Sequence, residues 1–362
     1  MKTIPIFIES IIYPIFVQKI EPMIKEFNTT GTCYAEDHYL MDNSAKLTAI
    51  FALIERGKYF VINRPRQYGK TTTLFHLVDK LNETEEYLPI KLNFQGIDDM
   101  WLHSDKLFAK VFMLKIEEAL KYTSPQLFDF LQQKKESVIS MDTLSVLITE
   151  MVHQTDKKLV LLIDEVDASS NYESFLKLLG TLRTKYLGRK SPQHATFYSI
   201  VLAGVHDIKS LKFKLRNPDD AQFNSPWNIA VDFEVRMSFS PQEIAPMLEE
   251  YSQAEKVEMD VAAIAEHLYY YTSGYPFLVS KLCKNIVEKI VAKRAEKVWT
   301  LEDVELAVRL MLRENNTNFE SLIKNLENHQ DLYDLTMRIL IDGERIPFNP
   351  HEPISQLGRM YG

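Results

Sequence analysis

The chain has 362 residues, 46% of them hydrophobic and 25% charged, with a formal net charge of -8. That length exceeds one small domain, and the composition is that of a globular protein able to bury a sizeable core. Two cysteines, Cys33 and Cys283, exclude a disulfide framework or a cysteine metal cluster and make a reducing cytoplasm the expected setting, while the negative balance speaks against a dedicated nucleic-acid binder.

Residues 4–17 are mostly apolar but carry Glu9, Pro5 and Pro14. The run is too short to span a bilayer. One lysine precedes it and no small-residue cleavage site follows, which argues against a signal peptide. Residues 1–26 therefore read as an N-terminal extension, with a peripheral membrane contact as the weaker alternative.

A short apolar run over 59–63 predicts a strand, and the helical spacing of Leu74, Phe75, Leu77, Val78 and Leu81 predicts a helix. Between them lies Arg64-Pro65-Arg66-Gln67-Tyr68-Gly69-Lys70-Thr71-Thr72-Thr73. Strand, loop ending in Gly-Lys-Thr, then helix is how proteins hold nucleoside phosphates. The unpaired N–H groups of a helix start attract anions. Gly69 permits close backbone approach, Lys70 would reach the phosphates and Thr71 would put a hydroxyl on Mg²⁺. Arg66, Gln67, Tyr68, Gly69, Lys70, Thr71 and Thr72 are the candidate nucleotide contacts of this loop. The usual pattern has glycine where this chain has Arg64, and either Arg64 or Arg66 could add charge near the phosphates. A bare Gly-Lys-Thr arises often enough by chance that a second motif is needed.

Strands are predicted next over 88–94 and 158–163. The second is an unbroken apolar run closed by Asp164 and Glu165, as expected of a strand buried on both faces of a parallel sheet. Ligands of open α/β sheets bind at such C-terminal strand ends. An aspartate there can hold Mg²⁺, and the neighbouring glutamate can orient or deprotonate water. Alone, the pair would be an ordinary loop start; with the Gly-Lys-Thr loop, it makes a nucleotide site. Further strands are predicted over 196–204 and 229–235, giving five separated by helices. This pattern predicts an α/β fold, a parallel sheet with helices on both faces. His206 and Asp207, at the tip of the fourth strand, are either γ-phosphate sensors or plain loop residues.

After Pro241 the pattern turns helical over 242–256, 259–273 and 277–292, and Thr300 reads as the cap of another helix. The break at Ser273-Gly274-Tyr275-Pro276 is a turn, with Pro276 opening the next helix. The region is either a plain helical bundle or a lid over the nucleotide. Residues 339–348 read as a helix end, a turn and a strand.

The strings PRQYGKTT, LLIDEVD, SIVLAGVHDIKSLK and SGYPFLV, in that order, resemble the AAA-like ATPases related to the STAND class of P-loop NTPases. The resemblance covers about residues 27–361. It implies a P-loop ATPase core over 27–240, a helical lid over 241–315 and a winged-helix-like segment over 316–362, either a natural short form or a truncated one. It implies Lys70 and Thr71 as phosphate and Mg²⁺ contacts. It makes Asp164 the metal-site acid and Glu165 the water-activating one. Gly274 and Pro276 match the lid motif that lies against the nucleotide. Residues 39–42 fall where STAND proteins approach adenine, but Asp42 and Asn43 stand in place of the Gly-Arg pair. Relatives with a Pro-Arg-Gln loop also lack the first glycine.

The leading expectation is an ATP-dependent, Mg²⁺-dependent molecular switch that hydrolyses ATP, with homo-oligomerisation open. A nucleotide-binding module with little turnover is the second reading. A nucleic-acid-associated ATPase is the third, resting on Lys209, Lys212, Lys214 and Arg216, which read equally as a solvated loop; Arg183 or an arginine of that cluster could instead reach a neighbouring subunit's nucleotide. Small-molecule kinase activity is weaker, because the Asp-Glu pair favours water as acceptor. The chain lacks an Asn-Lys-x-Asp guanine-reading string, which favours adenine.

Overall fold

The structure, a computed structural model, describes residues 25–170, 172–205, 227–314, 317–349 and 352–361. Four apolar runs form a parallel sheet: β1 (Tyr59–Asn63), β2 (Tyr87–Asn93), β3 (Lys158–Asp164) and β4 (Ser199–Gly204). Their order is β1-β4-β3-β2. Register runs from Tyr59↔Ile200 to Asn63↔Gly204, from Val160↔Ser199 to Ile163↔Leu202, and from Tyr87↔Lys158 to Asn93↔Asp164. Asn63, Gly204, Asp164 and Asn93 therefore end together along one edge of the sheet.

Side chains alternate across the strands, so each strand feeds two cores. Tyr59, Val61, Ile90, Leu161, Ile163, Ile200 and Leu202 point to one face. That face is covered by α3 (Asp99–Leu102), α4 (Asp105–Leu120), α5 (Pro125–Lys134), α6 (Met141–Val152) and α7 (Glu173–Gly188). Phe60, Ile62, Val160, Leu162, Val201 and Ala203 point to the other. There they meet α1 (Ser44–Glu55) and α2 (Lys70–Asn82) through Ile50, Ile54, Leu74, Leu77 and Leu81. Removing a Leu or Ile of this kind from water contributes roughly 1.5–3 kcal/mol, which is why the central strands β3 and β4 carry unbroken apolar runs.

The expected fifth strand over 229–235 is a single parallel bridge, Phe60↔Val231, closed by the Val231 N–H donating to the Tyr59 carbonyl at 2.9 Å. Phe233 still stacks on Phe60, with ring centroids 5.9 Å apart. Beyond Val231 the ladder stops. Arg64 Nη2 donates to the Val235 carbonyl at 2.9 Å, and Asp232 and Glu234 are exposed on the sheet edge, as charges on protected edges are.

A second body begins at α8 (Pro241–Glu255) and continues through α9 (Val261–Thr272), α10 (Pro276–Asn285) and α11 (Leu301–Arg313). Its core is a separate cluster around Ile244, Leu248, Leu268, Leu282 and Val304. Capping boxes start α8 at Ser240/Glu243 and α11 at Thr300/Asp303, each satisfying N–H groups that the helix start leaves unpaired. Phe27 and Tyr39, from the segment before α1, belong to this helical cluster rather than to the sheet; their rings pack on Tyr251 at 5.1 and 5.3 Å.

The chain ends in α12 (Thr317–Glu327), α13 (Gln330–Leu340) and α14 (Pro353–Tyr361). The expected helix end and turn are present, with Gly343 at φ +68. The expected strand over 344–348 is not: those residues are irregular. Among the described residues no helix is long and apolar enough to cross a membrane. His206, Asp207 and the Lys209, Lys212, Lys214 and Arg216 cluster lie outside the described residues.

Candidate nucleotide-binding site

The loop after β1 and the end of β3 meet at the edge where the strands terminate. Thr71 Oγ1 donates to Asp164 Oδ2 at 2.7 Å. Asp164 is 1% exposed, and its other oxygen accepts the Glu165 N–H at 3.0 Å. Lys70 opens α2 and is 6% exposed. Its ammonium donates to the Arg64 and Pro65 carbonyls, each at 2.9 Å. Burial pushes its pKa below the ordinary lysine value, while Glu165, Asp167 and Asp164 pull it back. Two carbonyl dipoles hold its ammonium directly, and the three carboxylates act on it from further off. A group so placed can bind an incoming anion.

Glu165 adopts φ +53, in the left-handed region that a side chain with a Cβ disfavours. Gln67 does the same at φ +58. Such residues cost on the order of 1–3 kcal/mol each and concentrate at functional sites. Burial pushes the Glu165 carboxyl above its ordinary value; Asp164 adds to the rise and Lys70 opposes it. Gly69 takes φ +73, and a Cβ there would meet nothing within 4 Å; the glycine is required by conformation rather than space.

The loop's three cations divide their work. Arg64, which stands in the usual glycine position, turns away from the loop mouth. It donates to the Asn63 carbonyl at 2.8 Å as well as to Val235, and stacks over Phe233 at 5.3 Å. Arg66 is exposed, and its charge lies close enough to bias the titration of both Lys70 and Glu165. Lys70 sits between them as the buried cation. The Val235 contact ties Arg64 to the segment leading into α8.

The second half of the site is a pocket between the segment before α1, the outer side of α2 and the start of α10. Of the residues the motifs single out, Gln67, Tyr68, Gly69, Thr72 and Pro276 line it. Asn43, which stands at the position of the family's adenine-side motif, also lines it, as do Lys46, Cys33, His76, Met237 and Phe239, which no local sequence signal marks. Asp42 does not line it. Its carboxylate accepts the Ser44 N–H at the start of α1, and its own N–H donates to the Glu243 carbonyl at 2.8 Å.

Gly274 stands behind the pocket rather than in it. At φ +72 it passes so close to Phe239 that a Cβ would lie 1.8 Å from the Phe239 carbonyl oxygen. That approach lets the Phe239 N–H donate to the Gly274 carbonyl at 2.9 Å, and Phe239 forms a pocket wall. Tyr275, between the two lid-motif residues, stacks on Tyr68 with centroids 4.5 Å apart and donates its hydroxyl to the Arg66 carbonyl. Lys46 binds Glu243 at 2.5 Å and lies 3.9 Å over the Phe239 ring. Three contacts thus join the sheet body to the helical body around one pocket.

Asp167 also lies here: its Oδ2 accepts the Val205 N–H at 2.5 Å, tying the end of β4 to the turn after β3. Arg183, read above as reaching a neighbouring subunit's nucleotide, lies away from this chain's own loop. It lies in the half of α7 that leads to Arg189, which binds Gly57 at the opposite ends of the strands.

A family profile described as an AAA-like domain matches residues 30–352. Among solved structures, the chain is similar to the Walker-type ATPase PABY2304 of Pyrococcus abyssi, with a TM-score of 0.57 and 14% identity over 92% of this chain and 93% of that one. It is also similar to the ORC2 protein of Aeropyrum pernix in its ADPNP-ADP complexes, with a TM-score of 0.52 and 14% identity over 92% and 82%. At these identities the likeness establishes the P-loop ATPase fold alone. Among curated protein sequences none matches the chain. The match over nearly the whole length, on a sheet that carries a Gly-Lys-Thr loop beside an Asp-Glu strand end, identifies the chain as a member of the AAA-like domain family.

Proposed function

We propose that the chain is a Mg²⁺-dependent ATPase of the switch type related to STAND proteins, with ATP held between the sheet body and the lid. The observation that carries this is the contact of Thr71 Oγ1 with Asp164 Oδ2, flanked by buried Lys70 and by Glu165. The donor set suits Mg²⁺: a hydroxyl and a carboxylate, both hard oxygens. Among the described residues there is no cage of three or more His, Cys, Asp or Glu, and Mg²⁺ in nucleotide sites is held by few protein oxygens together with phosphates and water. When bound, the ion would neutralise charge on the β- and γ-phosphate oxygens.

The protein's own groups would do the rest. The N–H groups at the start of α2 bind phosphate oxygens, and Lys70 exchanges its two carbonyl acceptors for them. Glu165 accepts a hydrogen bond from the attacking water and takes its proton as the O–P bond forms, ADP leaving opposite. Its raised pKa makes it a better base than an ordinary surface glutamate. Arg66, exposed beside both groups, adds positive charge where the phosphoryl group moves. Tyr275 connects the loop to the lid, so closed and open lid positions differ in affinity for nucleotide, as a switch requires. The division into core, lid and C-terminal helices belongs to the same proposal, and the separate hydrophobic clusters of sheet and lid support it.

Phosphate release from Mg-ATP by wild type and Lys70→Ala tests the reading. The variant is expected to lose about 10²- to 10³-fold; equal rates would refute it. A nucleotide-binding module with little turnover is the second reading, favoured by a Lys70 already satisfied within the protein. In that case nucleotide raises thermal stability by mass action without phosphate release.

A further inference from the structure

The pocket beside the loop is apolar on most sides, walled by Leu40, Met41, Met237, Phe239, Pro276 and Phe277. Two polar side chains in its lining pair with each other: Asn43 Nδ2 lies 2.8 Å from His76 Nδ1. His76 is on α2, six positions after Lys70, hence about 9 Å further along the helix axis. A ligand anchored by its phosphates at Lys70 and extending into the pocket would bring its base to these two groups.

The surroundings of the His76 ring favour one polarity of the pair. The His76 ring also hydrogen-bonds the Cys33 backbone. Burial disfavours the charged ring more than Asp79 and Glu36 favour it, so the imidazole is held neutral. A neutral imidazole has one donor and one acceptor. With the ring proton given to the Cys33 carbonyl, Nδ1 is the acceptor. Asn43 must then turn its NH₂ toward His76, which leaves its Oδ1 as the free polar atom of the amide. Adenine offers an amino donor at the six position of the ring, where guanine offers a carbonyl acceptor. An acceptor that cannot rotate into a donor pairs with the first and repels the second.

We propose that Asn43 selects adenine over guanine through its side-chain carbonyl, and that His76 is the positioning residue that holds the amide in that sense. This rests on the nucleotide site proposed above and adds which base the site admits and why. Sites that hydrogen-bond a substrate group reject analogues lacking it far better than apolar slots do.

Competition of ATP and GTP for a fluorescent adenine nucleotide, with Mg²⁺, tests the inference in wild type, Asn43→Ala, His76→Gln and His76→Leu. Wild type is expected to prefer ATP by about 10- to 100-fold. Asn43→Ala should weaken ATP and bring the two within about threefold, by loss of that one acceptor. His76→Gln, whose Oε1 can accept from Asn43 while its NH₂ donates to Cys33, should keep the preference. His76→Leu frees the amide to rotate and should erode it. A wild type without preference, or an Asn43→Ala that keeps the preference or weakens both nucleotides equally, overturns the inference while the site reading stands. A wild type that binds neither nucleotide removes the site reading and the inference together.

Discussion

In the proposed site, the half assigned to phosphates comes from two unbroken runs, the loop 64–72 and the strand end 162–167, whereas the pocket assigned to a base joins Gln67, Tyr68, Gly69 and Thr72 of that loop to segments around 28–43, 76, 237–239 and 276–277. The first half is made by local rules. A turn, a helix start and a strand end place Lys70, Thr71, Asp164 and Glu165 within one sheet edge, and no movement of the helical body separates them. The second half exists only while the helical body stays where Gly274, Tyr275 and Glu243 hold it. On the proposed reading, the phosphate contacts come from the sheet body, and the base contacts are shared between the two bodies. A nucleotide that fills both halves gains its phosphate contacts in any lid position but its base contacts in one. The binding difference between lid positions is what a ligand-driven switch needs.

Substitutions can break this contrast, beginning with the hinge of the base half. Gly274→Ala forces a Cβ into the Phe239 backbone, a clash of the kind that costs about 4 kcal/mol or more. Nucleotide affinity and thermal stability should both fall sharply, and a crystal structure should show Phe239 displaced. If Gly274→Ala retains both, the two bodies are not joined as described. Arg64→Gly restores the glycine most such loops carry. It deletes the bonds to Asn63 and Val235, and chemical denaturation should show a loss of about 1–2 kcal/mol, with phosphate release lowered less than tenfold. A rate loss as deep as that of Lys70→Ala would put Arg64 back at the phosphates. Tyr275→Phe removes one hydroxyl from the latch on the Arg66 carbonyl and keeps the stack on Tyr68. ATP affinity should fall only about fivefold, the size of one neutral hydrogen bond, and titration calorimetry would resolve it.

The same contrast decides what the sequence reveals. Lys70, Thr71, Asp164 and Glu165 are readable because each sits at a fixed offset from a buried strand. β3 is readable because burial on both faces leaves the run Leu159-Val160-Leu161-Leu162-Ile163 without polar interruption, and β2 is readable although Lys91 interrupts it. Thr300 is readable because a cap needs its partner at the third helical position, and Asp303 is there. Residues 229–235 carry the same β-prone pattern yet make one bridge, and the Val235 carbonyl accepts from the Arg64 side chain, a contact from a segment distant in sequence that the local pattern does not encode. Phe27 and Tyr39 precede the sheet body but pack with the lid, a tertiary choice that propensity does not register. The pairing of Asn43 with His76 is hidden for the same reason: Asn43 precedes α1 and His76 lies on α2, and only the fold sets them 2.8 Å apart.

The central claim is that Glu165 activates water at a site whose grip on ATP does not depend on it. Rapid mixing of Mg-ATP with wild type and Glu165→Gln, scoring phosphate formed and nucleotide retained on the protein across pH, tests it most directly. The account predicts a rate about 10²- to 10⁴-fold lower in the variant, ATP retained unhydrolysed, and a wild-type acid limb lying above the ordinary glutamate range, with rate lost as pH falls through it. Equal rates in the two proteins, or loss of ATP binding together with turnover in Glu165→Gln, would contradict it.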